Sequence, residues 1–179
     1  MTQALKMLVD RMKTPIGELI VIADEDGALR SLDWSDHEAR MRRLLRLHYG
    51  EGGYTLARQR NPHGLSATLE AYFAGSLAAI DTLPVATGGT DFQRRVWRAL
   101  RRIGCGKTVT YGELARRIGR PAAVRAVGLA NGANPVSIVV PCHRVIGADG
   151  SPTGYGGGIS RKRWLLVHEG ALLSDLRAA

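Results

Sequence analysis

Residues 84 to 89 read Pro-Val-Ala-Thr-Gly-Gly, a composition that interrupts periodic structure and tethers one folded unit to another. The chain changes its electrostatic character across this stretch. Residues 1–87 carry ten basic and eleven acidic side chains, whereas residues 88–179 carry fifteen and five. The whole formal charge of +9 therefore belongs to the second half. An evenly spread excess would serve solubility alone. A segregated one is the footprint of a surface that holds a polyanion, because each phosphate contact releases condensed counterions. Two modest domains are expected, 1–87 and 88–179, with the linker at about 84–89.

The first domain reads as mixed α/β. Residues 18–23 and 28–34 flank Asp24-Glu25-Asp26-Gly27, which signals a hairpin. Helical spacing follows, with Met41, Leu44, Leu45 and His48 on one face and then Leu65, Leu69, Tyr72 and Phe73, closed by Gly75. The second domain reads as mainly helical. Thr90 with Gln93, and Thr110 with Glu113, have the spacing of capping boxes. Phe92, Val96, Leu100 and Ile103 form the buried stripe of the first of these helices, while Arg94, Arg95, Arg98, Arg101 and Arg102 lie elsewhere on it. The second box opens a short helix running through Ile118. Gly119-Arg120-Pro121 then turns the chain into a helix from about Ala122 to Ala130, with Pro121 in its first turn. This is helix-turn-helix spacing. The second of the pair is unusual for a reader of base edges, since Ala122, Ala123, Ala126, Gly128 and Ala130 leave only Arg125 long enough to probe. Small side chains allow a backbone to approach a minor groove closely, with little sequence readout.

Residues 138 to 147 read Ile-Val-Val-Pro-Cys-His-Arg-Val-Ile-Gly. The apolar run reads as a buried strand that Pro141 stops just before a thiol. A cysteine attacks as the thiolate and needs a base or a positive charge nearby. His143 and Arg144 offer one of each. Neighbouring side chains of an extended segment point to opposite faces, so His143 reaches Cys142 only through a sharp turn or a bridging water. The Gly154 to Gly158 run around Tyr155 is a flexible loop, and without a following Gly-Lys-Ser/Thr it is no phosphate loop.

The Pro-Cys-His-Arg string resembles the active-site motif of the O6-alkylguanine-DNA alkyltransferases, also called methylated-DNA-protein-cysteine methyltransferases. The likeness continues through Thr110-Tyr111-Gly112, Ala123-Val124-Arg125-Ala126-Val127-Gly128, Asn134-Pro135-Val136, Gly154-Tyr155-Gly156-Gly157-Gly158 and Trp164 to Gly170. It is close over residues 90–170 and loose over the first 85. The resemblance implies a ribonuclease-H-like α/β domain followed by a winged-helix-like DNA-binding domain. It implies a repair protein that flips O6-alkylguanine from duplex DNA and moves the alkyl group to Cys142 in a single turnover. His143 takes the thiol proton and is oriented by Glu169, Tyr111 donates to the leaving guanine, and Asn134 braces the cysteine loop. Arg125 fills the gap left by the flipped base, with Ala123, Ala126, Gly128 and Tyr111 also at the DNA. Val145, Tyr155, Gly156 and Gly157 wall the alkyl pocket, with Gly156 where several relatives have serine.

No cofactor is implied, and the partner is double-stranded DNA containing O6-alkylguanine. The chain is expected to act as a monomer, with cooperative binding along DNA left open. The five histidines are scattered singly, so no metal is expected. No long apolar run or signal peptide suggests a membrane. Two cysteines, Cys105 and Cys142, cannot build a disulfide framework, which points to the cytoplasm. Two other classes compete. A module that binds alkylated bases and recruits repair factors has no use for Cys142, and a cysteine hydrolase does not account for the basic second half.

Overall fold

The computed structural model describes residues 4–172, so the ends of both expected domains, 1–3 and 173–179, lie outside the described residues. The chain divides into two compact units that meet between Gly89 and Thr90.

In the first unit β1 (Leu5–Thr14), β2 (Gly17–Asp24) and β3 (Leu29–Trp34) form an antiparallel meander. The expected hairpin is present. Its turn is held by Asp24, whose Oδ1 accepts from the amides of Asp26 and Ala28, and by Gly27 at a φ of 87°, a region open to glycine. Helix α1 (Glu38–Tyr49) then carries the chain back, so that β4 (Tyr54–Arg58) lies parallel to β1. The sheet order is β3-β2-β1-β4. Met7, Ile20 and Ile22 pack with Met41 and Leu45 of α1, and helix α2 (Leu65–Phe73) buries Leu65, Leu69 and Tyr72.

Strands β1 and β4 have no clear signal in the sequence. Within β1 only Met7 and Met12 are fully buried, a spacing of five that breaks the period-two alternation of a half-buried strand. The stretch after Leu83, linker-like in composition, is bonded along β3. The Leu29 amide donates to the Pro84 carbonyl at 2.8 Å and the Ala86 amide to the Leu29 carbonyl at 3.0 Å.

The second unit opens with α3 (Asp91–Leu100), and the Thr90–Gln93 capping box is complete. Trp97 donates from Nε1 to the Ala130 carbonyl at 2.8 Å and so pins α3 to the fifth helix. A two-residue strand β5 (Val109–Thr110) pairs in parallel with β6 (Val145–Ile146). Between them lie α4 (Tyr111–Arg117), capped by the Thr110–Glu113 box, and α5 (Val124–Gly132). The last helix, α6, spans Ile159–His168.

Three local expectations are corrected. Helix α5 starts at Val124, two residues later than its composition suggests, because the Ala123 amide is held by the Arg120 carbonyl in a turn after Gly119. Pro121 thus precedes the helix. Ser160 and Gly170 suggest a helix over Arg161 to His168 that Ser160 caps, but α6 follows Gly158 directly, which leaves Ser160 inside the first turn with no capping role. Residues 138–140 are turn and not strand.

Candidate active site

The turn that replaces the expected strand is built by Asn134. Its Oδ1 accepts from the Val136 amide at 2.9 Å, and its Nδ2 donates to the Val140 carbonyl at 2.7 Å. The side chain thereby closes a ring across six residues and folds the apolar run on itself. Ile138 takes a φ of 70°, a conformation that β-branched residues rarely adopt, and is fully buried. The run is apolar because it lies in the core. It is not extended because Asn134 satisfies its backbone in place of a neighbouring strand. From this turn the chain enters a 3-10 turn over Cys142–Arg144. Neighbouring side chains are splayed there, so Cys142 and His143 serve different surroundings. The Cys142 carbonyl accepts from Asn131 Nδ2 at 3.5 Å, and neither cysteine forms a disulfide.

His143 is completely buried. Its Nε2 lies 2.9 Å from Glu169 Oε1, and its Nδ1 has no hydrogen-bond partner among the described residues. A carboxylate opposite Nε2 fixes the proton on that nitrogen and leaves Nδ1 as the basic one. Burial holds the imidazole below its ordinary value despite the pull of Glu169, so it is neutral and able to accept. Burial alone would raise the Glu169 carboxyl. His143 and Arg144 outweigh it and hold the group well below the usual carboxylate range. Arg144 donates to Glu169 from Nε at 2.8 Å and from Nη2 at 2.9 Å, and from Nη1 to the Ile103 carbonyl at 2.5 Å. Its charge therefore orients Glu169, which corrects the expectation that it stands by the thiol.

A further buried cation is Lys162, whose place beside the loop that follows the cysteine the sequence analysis missed. It is 0% exposed, and its Nζ donates to the carbonyls of Val145, Thr153 and Gly154 at 2.5, 2.8 and 3.0 Å. Burial lowers it to about 8, and negative charge on Cys142 would oppose that shift. Its signal was available in helical periodicity. Lys162, Leu165, Leu166 and Glu169 stand at i, i+3, i+4 and i+7, one face of α6, so a buried stripe runs through both ionisable groups.

A cavity of about 210 Å³ opens beside the thiol, lined by Tyr111, Gly128, Asn131, Cys142, Tyr155 and Gly156 among others. Of the residues expected to wall the pocket, Tyr155 and Gly156 do so. Val145 and Gly157 do not line it: Val145 is held in β6 with its side chain in the core, and Gly157 is buried with its carbonyl accepting from Arg161. Asn131, one helical turn before Asn134, is a further lining residue that sequence reasoning overlooked. Tyr111 stands at the first position of α4, where the capping box places it, and its hydroxyl donates to the Thr153 carbonyl at 3.0 Å. Burial raises the phenol, and a Cys142 thiolate raises it further. Gly128 passes close behind its ring, since a Cβ there would sit 3.9 Å from Tyr111 Cδ1.

The opposite side of α5 faces solvent. Val124, Arg125, Ala126 and Leu129 are exposed, Leu129 to 70%, and Ala123 is half-buried. Arg125 makes no ion pair among the described residues. Arg95, Arg98, Arg116, Arg117 and Arg120 of the same unit are exposed as well.

Profiles of two domains match the chain. Residues 7–87 match "6-O-methylguanine DNA methyltransferase, ribonuclease-like domain" and residues 91–171 the DNA binding domain of the same description. A methylated-DNA--protein-cysteine methyltransferase of Salmonella typhimurium is 57% identical over 169 residues, which cover 94% of this chain and 99% of that one. The chain belongs to the O6-methylguanine DNA methyltransferase family. Its first unit is the family's ribonuclease-like domain and its second the DNA-binding domain. Among solved members, the structure of Mycobacterium tuberculosis OGT in complex with DNA superposes with a TM-score of 0.74 at 42% identity, covering 97% of this chain and 98% of that one. The O6-methylguanine methyltransferase of the same organism gives 0.75 at 41%, covering 96% and 98%. No helix among the described residues is long and apolar enough to cross a membrane.

Proposed function

We propose that this methyltransferase repairs O6-alkylguanine in double-stranded DNA by taking the alkyl group onto Cys142, once per molecule. The observation that carries the reading is Cys142 at a cavity wall, next to a buried histidine whose Nε2 is locked by Glu169 and whose Nδ1 is open. Nδ1 takes the thiol proton through a water, and Glu169 stabilises the imidazolium that results. The thiolate attacks the alkyl carbon and its bond to guanine O6 breaks. Tyr111, kept protonated by its burial, gives a hydrogen bond to the leaving purine at N3 as charge builds there. The product is a thioether, which no group in the site can cleave, so the protein is consumed.

Access to the base requires extrusion from the stack at a cost of a few kcal/mol. Helix α5 suits this task, with Ala123, Ala126 and Gly128 permitting close approach and Arg125 as the one long polar side chain on its exposed face. A thiol that must stay reduced fits a reducing compartment such as the cytoplasm. The test is intact mass after incubation with an O6-methylguanine duplex. A gain of one methylene on Cys142, with substrate loss saturating at one equivalent, is expected. Continued turnover, or an adduct elsewhere, overturns the reading.

A further inference from the structure

The ribonuclease-like unit has a second concavity unrelated to the thiol. A groove of about 640 Å³ runs between α1 and the end of the sheet. Its floor is apolar, made by Val9, Ile20, Ile22, Met41 and Leu56. Its rim is basic. Two of the rim arginines are already engaged, Arg11 with Glu18 and Glu38 and Arg42 with Glu38. Arg58 and Arg60 are exposed and make no ion pair among the described residues. The acidic rim residues are committed: Glu38 lies between two arginines, and Asp10 accepts from Ser66 and the amides of Arg11 and Asn61. In a half whose net charge is slightly negative, Arg58 and Arg60 give this rim positive charge that no ion pair among the described residues cancels.

The groove adjoins an open sheet edge. Strand β4 is last in the sheet. The Gly53 carbonyl accepts from the Leu5 amide, and the Gln59 amide donates to the Val9 carbonyl. Odd-numbered residues thus turn their polar groups toward β1. In a parallel ladder the intervening residues turn theirs the other way, so Tyr54, Leu56 and Arg58 offer amides and carbonyls to the open edge. The same residues share one face of the sheet, and Tyr54 and Leu56 pack on the core cluster under α1. A chain added along this edge lays alternate side chains beside Leu56, into the groove, with its end beside Arg58 and Arg60.

We propose that this edge and groove bind an extended peptide segment of a partner protein, with apolar residues at alternate positions flanked by acidic ones. Backbone pairing supplies the register, the groove takes the apolar side chains, and the two arginines select for acid. The probe is a fluorescein-labelled peptide Asp-Asp-Leu-Thr-Leu-Asp-Asp, which offers an acidic pair to the arginines in either strand direction. Anisotropy with the full chain is expected to show saturable binding that weakens at least ~10-fold in the double variant Arg58→Glu with Arg60→Glu. Exchange of the aspartates for lysine, or N-methylation of alternate backbone amides of the peptide, is expected to abolish it; both leave the protein untouched. Absence of saturable binding up to ~1 mM, or equal binding of the N-methylated peptide, overturns the proposal, as does unchanged affinity in a double variant that melts like the parent.

Discussion

Three groups converge on the Glu169 carboxylate: His143 from one side and both forks of Arg144 from the other. Removal of its charge strands a buried guanidinium, which costs about 3–5 kcal/mol. Glu169→Gln is expected to lose that much stability in urea at pH 7. The folded carboxyl lies below its ordinary 4.5, so the contribution is complete above that pH and drains away as the pH falls. The gap between parent and variant should therefore narrow in acid. Arg125 makes the opposite case, an exposed side chain with no ion pair among the described residues. Arg125→Ala should slow repair of duplex substrate far more than reaction with free O6-alkylguanine base, since only the duplex demands unstacking; equal losses in the two rates would assign it to folding. Residue type made the His143–Glu169 bond readable in the sequence. It misplaced Arg144, because adjacency in sequence says nothing of where a long side chain ends. It passed over Lys162, because a lysine is read as surface until helical spacing puts it on a buried stripe.

At the level of elements, signals confined to four residues survived into the fold. Both capping boxes are intact and the hairpin turn is where Asp24 and Gly27 put it. Signals that depend on context failed. Ile138-Val139-Val140 has the composition of a strand, and one asparagine side chain outbids the strand by bonding both ends of the segment. Strands β1 and β4 are invisible because tertiary pairing, not alternation, holds them in place. The resemblance makes both Gly156 and Gly157 pocket wall, yet only Gly156 of the two lines the cavity. Substitution there tests the pocket. Gly156→Trp is expected to reduce reaction with a benzyl-type pseudosubstrate by more than ~100-fold, measured as loss of active thiol, and Gly157→Ala to leave that rate unchanged.

For the molecule as a whole, charge rather than shape governs the encounter with DNA. All the net positive charge belongs to residues 88–179, where Arg95 and Arg98 of α3, Arg116 and Arg117 of α4 and Arg125 of α5 are exposed. Duplex affinity should fall by ~10-fold or more between about 50 and 200 mM salt and vary little with sequence; a flat salt profile in gel-shift titrations would remove phosphate contact from the account. Charge has another consequence at the far end of the sheet. An unpaired strand edge is adhesive toward its own kind, and β4 ends in Arg58 with Arg60 close behind. Two copies meeting edge to edge bring four guanidinium groups together, so like-charge repulsion keeps a concentrated solution dispersed. In ~1 M salt, where the screening length shrinks to about 3 Å, that protection lapses. Light scattering should then report reversible clustering, and a chain with Arg58→Ala and Arg60→Ala should cluster without added salt.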